Sequence, residues 1–297
     1  MLGVVNLDKP VGPTSHDMVA LMRRLTGDRR IGHAGTLDPL ASGVLPILVG
    51  AATRFSEELT GGGKRYTATI RLGATSATDD GEGPITPGMG AMPDEAAIRQ
   101  ALAAFVGTFD QSPPAFSARK HGGRSAHRAA RSGEPLELQP RRVTVDAIEV
   151  LEIAAAPDGL DVTIDLRCGP GTYVRSIARD LGAAVGCGGY LAALRRTEAA
   201  GLLVEDGVTP DRLQALRDEG RLAEAVLPVA TLIRLPRLHL SATDADRFRH
   251  GSRVPVTDGP ASGRLAIFDA ADELLGIGSV ASGQLQPEKV ISTTGGA

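Results

Sequence analysis

Residues 160–181 read LDVTIDLRCGPGTYVRSIARDL, a stretch that combines a strand, a tight turn and a helix. Apolar side chains alternate with polar ones from Leu160 to Cys168, which predicts a strand with one buried and one polar face. Beyond the glycine-proline-glycine turn the apolar spacing becomes helical, and the predicted inner face comprises Val174, Ile177, Ala178 and Leu181. A half-buried strand that leads directly into a helix is typical of a mixed α/β or α+β domain.

The flanking sequence predicts more elements of both kinds. Thr14 or Ser15 can cap a helix that ends at Gly27, and Thr209-Pro210 opens another helix with proline at its first position. Asp94 is expected to cap a helix that carries Ala97, Ile98, Leu102 and Phe105, and residues 67–73 resemble a strand. Half-polar strands among such helices predict an α+β fold around a largely antiparallel sheet.

The residue pattern of the sequence changes after Leu227. Prolines 228, 236, 255 and 260 punctuate short β-like runs, and residues 264–280 (RLAIFDAADELLGIGSV) resemble a hairpin. We therefore predict a large domain over residues 1–230 and a small β-rich domain over residues 231–297.

Composition narrows the class of protein. The chain has 297 residues, 42% of them hydrophobic and 23% charged, which is ordinary for a globular protein. Two cysteines, Cys168 and Cys187, are too few for a disulfide framework and suit core thiols in a reducing compartment. No signal peptide and no membrane-length apolar run is visible, so a cytoplasmic location is expected.

Positive charge is concentrated in one segment, although the formal net charge of the chain is −3. Residues 113–142 show little apolar periodicity and contain far more basic than acidic side chains. The basic ones are Arg119, Lys120, Arg124, Arg128, Arg131, Arg141 and Arg142, against Glu134 and Glu137. A solvated loop explains such a run, but a loop this long inside a compact domain is more often functional.

Several familiar chemistries are absent from the sequence. The GGGKR stretch at residues 61–65 lacks the other residues of a P-loop, and the GPGTYV stretch at residues 169–174 lacks the third glycine of a dinucleotide fingerprint. The six histidines form no close metal-binding pair, and no nucleophile elbow occurs. We therefore expect neither a metal nor a nucleotide cofactor.

The remaining candidate is GHAGTLDPLASG, residues 32–43. Asp38 precedes Pro39 and is therefore biased away from a helical conformation, and the flanking glycines allow close approach of another backbone. An Asp-Pro pair alone can simply initiate a turn. An aspartate is also ionised at neutral pH, so it could act as a nucleophile without activation.

This segment resembles the catalytic signature of the TruB family of tRNA pseudouridine synthases. Five further segments resemble motifs of that family, in the family's order, between residues 6 and 201. They are NLDKPVGPTSHD (6–17), KRYTATIRLG (64–73), SPPAFSARKHGGRSAHRAARSG (112–133), GTYVRSIARDLG (171–182) and YLAALRRTEAAG (190–201). The resemblance implies a pseudouridine-synthase catalytic domain, with the C-terminal part forming a PUA-like RNA-binding module.

The resemblance also implies roles for individual residues. Asp38 would be the nucleophile, Arg175 would pair with it, and Tyr66 would stack on the flipped uracil. Tyr173 and Leu194 would line the pocket, and His33 would occupy the space that the flipped nucleotide vacates. Lys9 would support the active-site loop on the substrate side, and the insertion would grip RNA phosphates through Arg119, Lys120, Arg124 and Arg128.

The implied partner is the T arm of tRNA, and no obligatory protein partner is expected for what we take to be a monomer. Two other readings stay open at this point. One is a guide-directed synthase of the dyskerin-like branch, against which the basic insertion argues. The other is an RNA-binding or RNA-folding protein without catalysis, which would not need Asp38.

Overall fold

The computed structural model describes residues 1–116, 120–121, 124–125, 139–256 and 262–291, with backbone only at 120–121 and 124–125. Its first elements alternate strands with short helices. They are β1 (Gly3–Lys9), α1 (Ser15–Thr26), β2 (Ile31–His33), β3 (Ala41–Val49), α2 (Ser56–Thr60), β4 (Lys64–Leu72), β5 (Ala74–Ser76), β6 (Ile85–Pro87), α3 (Glu95–Ala103) and β7 (Gly107–Gln111).

The later elements include the longest strands and the second sheet. They are β8 (Lys120–His121), β9 (Arg124–Ser125), β10 (Arg141–Ala156), β11 (Gly159–Cys168), α4 (Val174–Ala184), β12 (Gly189–Ala199), β13 (Leu202–Leu203), α5 (Pro210–Asp218), β14 (Arg237–His239), α6 (Ala242–Arg249), β15 (Val254–Pro255), β16 (Gly263–Phe268), β17 (Leu274–Ala281) and β18 (Gln284–Val290). Short 3₁₀ turns lie at Gly50–Phe55, Val204–Asp206, Leu222–Ala225 and Val229–Leu232.

One large sheet organises the first two-thirds of the chain. Its strand order is β1-β3-β12-β4-β11-β10-β7, with β2 on β3 and β13 on β12. The pairs are antiparallel except for β3 with β12, which run parallel where Ala41 meets Leu194 and Gly43 meets Arg196. The predicted α+β fold around a largely antiparallel sheet is confirmed.

Local sequence signals explain where the helices begin. Thr14 forms a capping box with Asp17 at the start of α1, and the helix ends at Gly27 in a left-handed conformation. The Thr209 side chain caps α5, which has Pro210 in its first turn. The predicted inner face of α4 is buried against β4, β11 and β12, so this helix covers the middle of the sheet.

Some predicted boundaries were wrong. The strand expected at residues 67–73 begins at Lys64, because pairing with β11 and β12 extends it beyond the apolar pattern. Helix α3 ends at Ala103, and Phe105 lies in the turn that follows. Arg141 and Arg142 belong to β10, where they pair with β7, rather than to a loop. Arg119 and Arg128 lie outside the described residues, and Lys120 and Arg124 sit on the two-stranded β8–β9 ribbon without described side chains.

The C-terminal residues form a second, five-stranded sheet in the order β14-β16-β17-β18-β15. The predicted hairpin over residues 264–280 is confirmed as β16 and β17. Buried side chains of this sheet, among them Phe268 and Ile277, share a core cluster with Val4 and Phe55 of the larger unit. The boundary near residue 230 stays a prediction, and the shared core shows that the second sheet is packed against the first.

Ion pairs reinforce that packing at helix α2. Glu58 has a side chain only 8% exposed and contacts both Arg264, at 2.8 Å, and Lys289, at 2.9 Å. Arg54 donates a hydrogen bond to the backbone carbonyl of Val290. Helix α2 is therefore fixed between the two sheets.

Both cysteines are buried and unbonded to each other, as expected of core thiols. Burial raises the pKa of the Cys168 thiol to about 11, so it stays protonated at neutral pH. Across the described ranges, no helix is both long enough and apolar enough to cross a membrane.

The parallel β3–β12 junction predicts a large stability effect at Gly43. This residue has φ +101°, and a Cβ atom there would lie 2.1 Å from the carbonyl oxygen of Arg196. Gly12, with φ +109°, has open space at the same position and serves as the control. Gly12→Ala should lower the free energy of unfolding by about 1–2 kcal/mol through backbone strain, and Gly43→Ala by about 1–3 kcal/mol more through the clash. Urea unfolding of both variants measures this, and equal losses would contradict the close approach.

Candidate active site

The loop that carries Asp38 is held by the start of helix α1. The Ser15 hydroxyl donates to the Leu37 carbonyl at 2.9 Å and accepts from the Leu37 amide at 2.8 Å. Ser15 is buried, and the Leu37 side chain packs into the core beside α1. Ser15 thus holds both the amide and the carbonyl of the residue before Asp38, while the Asp38 side chain remains 41% exposed.

Arg175 is the second residue of α4, which begins at Val174 after Tyr173 at the N-cap position. The buried Gln111 side chain brackets Tyr173, donating to its carbonyl at 3.1 Å and accepting from its amide at 2.8 Å. In the next residues, the Ser176 hydroxyl donates to the Ser112 carbonyl. These contacts join the end of β7 to the first turn of α4 and therefore fix the position of the Arg175 backbone.

The Arg175 guanidinium connects two carboxylates. Its Nη2 lies 3.0 Å from Asp38 Oδ2, and its Nη1 lies 3.4 Å from Asp80 Oδ2. The Arg175 and Asp80 side chains are only 8% and 3% exposed. The guanidinium also donates to the backbone carbonyls of Thr78 and Phe116. An arginine with this many fixed acceptors can position the Asp38 carboxylate rigidly.

Asp80 is a functional residue that the sequence reasoning missed. It follows Asp79, a non-glycine residue with φ +63°, in a turn that bridges to Leu191 of β12. Asp79 pairs with Arg179, one helical turn beyond Arg175, at 3.0 Å. Burial raises the pKa of Asp79 despite the opposing charge of Arg179. Two adjacent acids in a glycine-flanked turn (DDG, residues 79–81) were the only available sequence signal.

The predicted aromatic and apolar residues meet Asp38 in one cavity of about 300 Å³. Tyr66 on β4, Tyr173 before α4 and Leu194 on β12 all line it, together with Arg175. Leu194 is adjacent to Ala41 in the parallel pair, so the strand junction places an apolar wall beside the Asp38 loop.

Tyr66 is almost completely buried in this cavity. Burial raises the pKa of its phenol, whereas the nearby Arg196 acts in the opposite direction. The phenol is therefore protonated at neutral pH and offers a flat ring with a hydrogen-bonding group at its edge.

Two further cations line the same cavity and were not predicted. Arg196 is 1% exposed and donates to the backbone carbonyls of Val44, Thr36 and Gly35. Lys64 donates to the carbonyls of Thr60 and Gly62, each at 2.9 Å. Burial, followed by the nearby charge of Arg196, lowers the pKa of Lys64 to about 8.

Other predicted residues lie beside the cavity or apart from it. His33 lines a neighbouring cavity with Ser56 and Pro170 and packs edge-on against His16, with ring centroids 5.5 Å apart. Burial lowers the pKa of His33, so the ring is neutral at pH 7. Lys9 does not line the cavity: its side chain is fully buried, and its Nζ donates to the carbonyls of Pro10 and Pro13. Lys9 therefore supports the loop 10–13, as the sequence predicts, and its assignment to the substrate-side residues stays a prediction.

No group of three histidine, cysteine or carboxylate side chains that could hold a metal ion occurs within the described part of the chain. The functional groups that converge are instead one exposed carboxylate, one buried carboxylate, three cations and two tyrosines. Such a site can orient an anion against a bound molecule and hold a flat ring.

Three family models match consecutive parts of the chain. The TruB family pseudouridylate synthase N-terminal domain matches residues 23–174. The tRNA pseudouridylate synthase B C-terminal domain matches residues 175–234, and the C-terminal domain of pseudouridine synthase II TruB matches residues 236–291.

Similar proteins and structures extend over nearly the whole chain. A Burkholderia mallei protein, tRNA pseudouridine synthase B, is 42% identical over 98% of this chain and 97% of its own length. The protein of that name from Ralstonia nicotianae is 40% identical over 97% and 94%. Among solved structures, a Cbf5-Nop10-Gar1 complex matches with TM-score 0.73 and 30% identity, over 97% of this chain and 84% of that one. An archaeal box H/ACA sRNP Nop10-Cbf5 complex matches with TM-score 0.73 and 27% identity, over 99% and 87%.

The two carboxylates on Arg175 should differ in their effect on stability. Asp80→Asn leaves a buried guanidinium without its buried counter-charge and should lower the free energy of unfolding by about 1–3 kcal/mol. Asp38→Asn removes a partner that is partly exposed to solvent and should cost less than about 1 kcal/mol. Urea unfolding of the two variants compares these losses of stability directly. If Asp38→Asn lowered the free energy of unfolding as much as Asp80→Asn, the view that Asp80 is structural and Asp38 is available to a substrate would be contradicted.

Proposed function

The chain belongs to the TruB family of pseudouridine synthases, and we propose that it isomerises uridine 55 in the T loop of tRNA with the Asp38 carboxylate as nucleophile. Enzymes of this family are isomerases that act on RNA, and this chain is one of them. The observation that carries the proposal is the 3.0 Å pair between Asp38 and the buried Arg175, in a cavity also lined by Tyr66 and Leu194.

The reaction breaks the bond between ribose C1′ and uracil N1, rotates the base and joins C1′ to C5. The proton lost from C5 balances the one gained at N1, so the reaction consumes no redox equivalent and no nucleotide. The step requires an anion next to the sugar, and Asp38 supplies one that is ionised at neutral pH. Arg175 orients that anion at the cavity, because Asp80 and two backbone carbonyls hold the guanidinium in place.

The target base must leave the RNA stack before it can reach Asp38. Tyr66 offers its ring as the platform on which the flipped uracil stacks, Tyr173 contacts the base, and Leu194 forms the opposite apolar wall. His33, neutral and half-buried in the neighbouring cavity, would occupy the space that the base has left. The insertion that contains Arg119, Lys120, Arg124 and Arg128 would hold phosphates of the T arm; its side chains lie outside the described residues.

The comparisons favour a stand-alone tRNA enzyme over the guide-directed alternative. The relatives named tRNA pseudouridine synthase B match end to end at 40–42% identity, whereas the Cbf5 chains, solved in complexes with other proteins, match at 27–30%. The second alternative, a binder without catalysis, leaves unexplained why a buried arginine holds a partly exposed carboxylate at the cavity. We propose a monomeric cytoplasmic protein whose second sheet is a PUA-like module, with no obligatory protein partner.

The proposed function predicts one product at one position. Incubation of the wild-type protein with an unmodified tRNA transcript should produce pseudouridine at position 55, mapped by chemical labelling and sequencing. Asp38→Asn keeps the size of the side chain and deletes the anion, so it should bind the transcript with near wild-type affinity and form no product.

A transcript with cytidine at position 55 is the matched control and should remain unmodified. Modification at another position would overturn only the assignment of uridine 55 as the target and not the synthase activity. A rate for Asp38→Asn within about tenfold of the wild type would overturn the assignment of Asp38 as the nucleophile, since removing a covalent nucleophile lowers the rate far more than that.

A further inference from the structure

Lys64 and Arg196 converge on Gly35, at the end of the cavity formed by the loop before Asp38. A Cβ atom built at Gly35 would lie 3.4 Å from Arg196 Nη1 and 3.7 Å from Lys64 Cε. Gly35 itself has φ +90°, a conformation that favours glycine. The absent side chain at this position leaves a space bordered by two cations, and all three residues line the cavity.

The charges of this pair are not balanced by acids. Within the described ranges neither side chain forms an ion pair. Lys64 donates to backbone carbonyls, and Arg196 hydrogen-bonds with backbone carbonyls and with the Tyr66 phenol. An ammonium has three donors and a guanidinium five. The carbonyls occupy two donors of Lys64 and three of Arg196, and the Tyr66 phenol takes up one more of Arg196, so each group retains one N–H donor. Arg175, by contrast, is shared by two carboxylates.

Two cations buried side by side without an acid are costly, and an anion that binds between them would relieve that cost. Burial first, and the nearby charge of Arg196 second, lower the pKa of Lys64 to about 8. A flipped nucleotide brings such an anion, because a negatively charged phosphodiester lies on each side of its ribose. Charge-assisted hydrogen bonds to that phosphate would fix the sugar while Asp38 meets C1′.

We propose that Gly35, Lys64 and Arg196 form a binding subsite for one phosphodiester next to the target uridine. This inference rests on the proposed function, and it makes Lys64 and Arg196 positioning residues, distinct from the basic insertion. The subsite acts on the flipped nucleotide, so it holds the reacting sugar rather than the body of the RNA.

The direct test combines a neutral lysine replacement with a neutral phosphate. Lys64→Met keeps the length of the side chain and removes its charge. A T-arm stem-loop RNA carries a methylphosphonate, which lacks the negative charge, at the phosphate 5′ or 3′ of the target uridine. Affinities are measured with full-length protein in the Asp38→Asn background, so that the RNA is not converted.

With Lys64 present, neutralising one of the two phosphates should weaken binding roughly tenfold or more, as expected for a lost charge-assisted bond. With Lys64→Met, binding should already be weaker and the same methylphosphonate should have little further effect. Equal methylphosphonate effects in both proteins, at both phosphates, would overturn the subsite.

Arg65→Met is the matched control. Arg65 neighbours Lys64 on β4 but points to the opposite face, where it pairs with Asp165 at 2.8 Å. This variant loses the same charge and should retain the full methylphosphonate effect. Loss of that effect in Arg65→Met as well would show a general charge effect and overturn the proposal.

The subsite also predicts a pH dependence of affinity. A bound phosphate raises the pKa of Lys64 above its free value of about 8. The lysine contribution is therefore complete below pH 8 and is lost as the pH rises above it. The other groups around Lys64 are the Arg196 guanidinium, the Cys168 thiol with its pKa raised to about 11, and the Tyr66 phenol, whose pKa is also raised.

Lys64→Arg should remove this decline, because a guanidinium stays charged throughout the range. Titration of the RNA is common to both proteins and cancels in the comparison. An identical decline in both would overturn the role of Lys64. Wild-type protein that converts the unsubstituted RNA while these comparisons fail would leave the proposed function intact, whereas absence of conversion would refute that function itself.

Discussion

The sharing of one buried guanidinium by Asp38 and Asp80 is the interaction on which the site depends. Arg175 reaches both carboxylates because α4 begins where β7, through Gln111, holds Tyr173 in place. A buried charge of this kind is expensive unless it is paired and hydrogen-bonded. Here Asp80 and two carbonyls satisfy it from the protein side, so the exposed carboxylate can face a substrate without losing its position.

The described sheet explains why these residues meet. The parallel contact between β3 and β12 places Leu194 and Arg196 beside the loop that precedes β3, and the close approach at Gly43 makes that contact possible. The second sheet adds to this arrangement through Glu58, which ties helix α2 to Arg264 and Lys289. Thr60, at the end of the same helix, accepts from Lys64 and lines the cavity. The C-terminal part of the chain therefore supports the cavity rim through α2.

Much of this could be predicted from local patterns. The alternation in β11, the caps at Thr14 and Thr209, and the inner face of α4 each depend on neighbouring residues, and each was confirmed. The TruB resemblance also singled out Asp38, Arg175, Tyr66, Tyr173 and Leu194, which the structure brings together. Asp80 lies outside the quoted motifs, and Lys64 and Arg196 lie inside them but were not singled out, because only the folded chain brings Asp80 to Arg175 and brings Lys64 and Arg196 to Gly35. Lys9 shows the reverse case: a motif residue whose side chain serves the loop and not the cavity.

The most direct test of the account is the single-turnover rate of pseudouridine formation in a double-mutant cycle of Asp80→Asn and Arg175→Lys. Lysine keeps the charge but cannot reach both carboxylates with a planar fork. If the two residues act as one unit that aims Asp38, each change should slow the step by roughly a hundredfold, since small misplacements of a reacting group have effects of that size. The double variant should then be little slower than the slower single variant. Rate losses that multiply in the double variant, or a rate for Asp80→Asn close to that of the wild type, would contradict the shared guanidinium as the organising interaction.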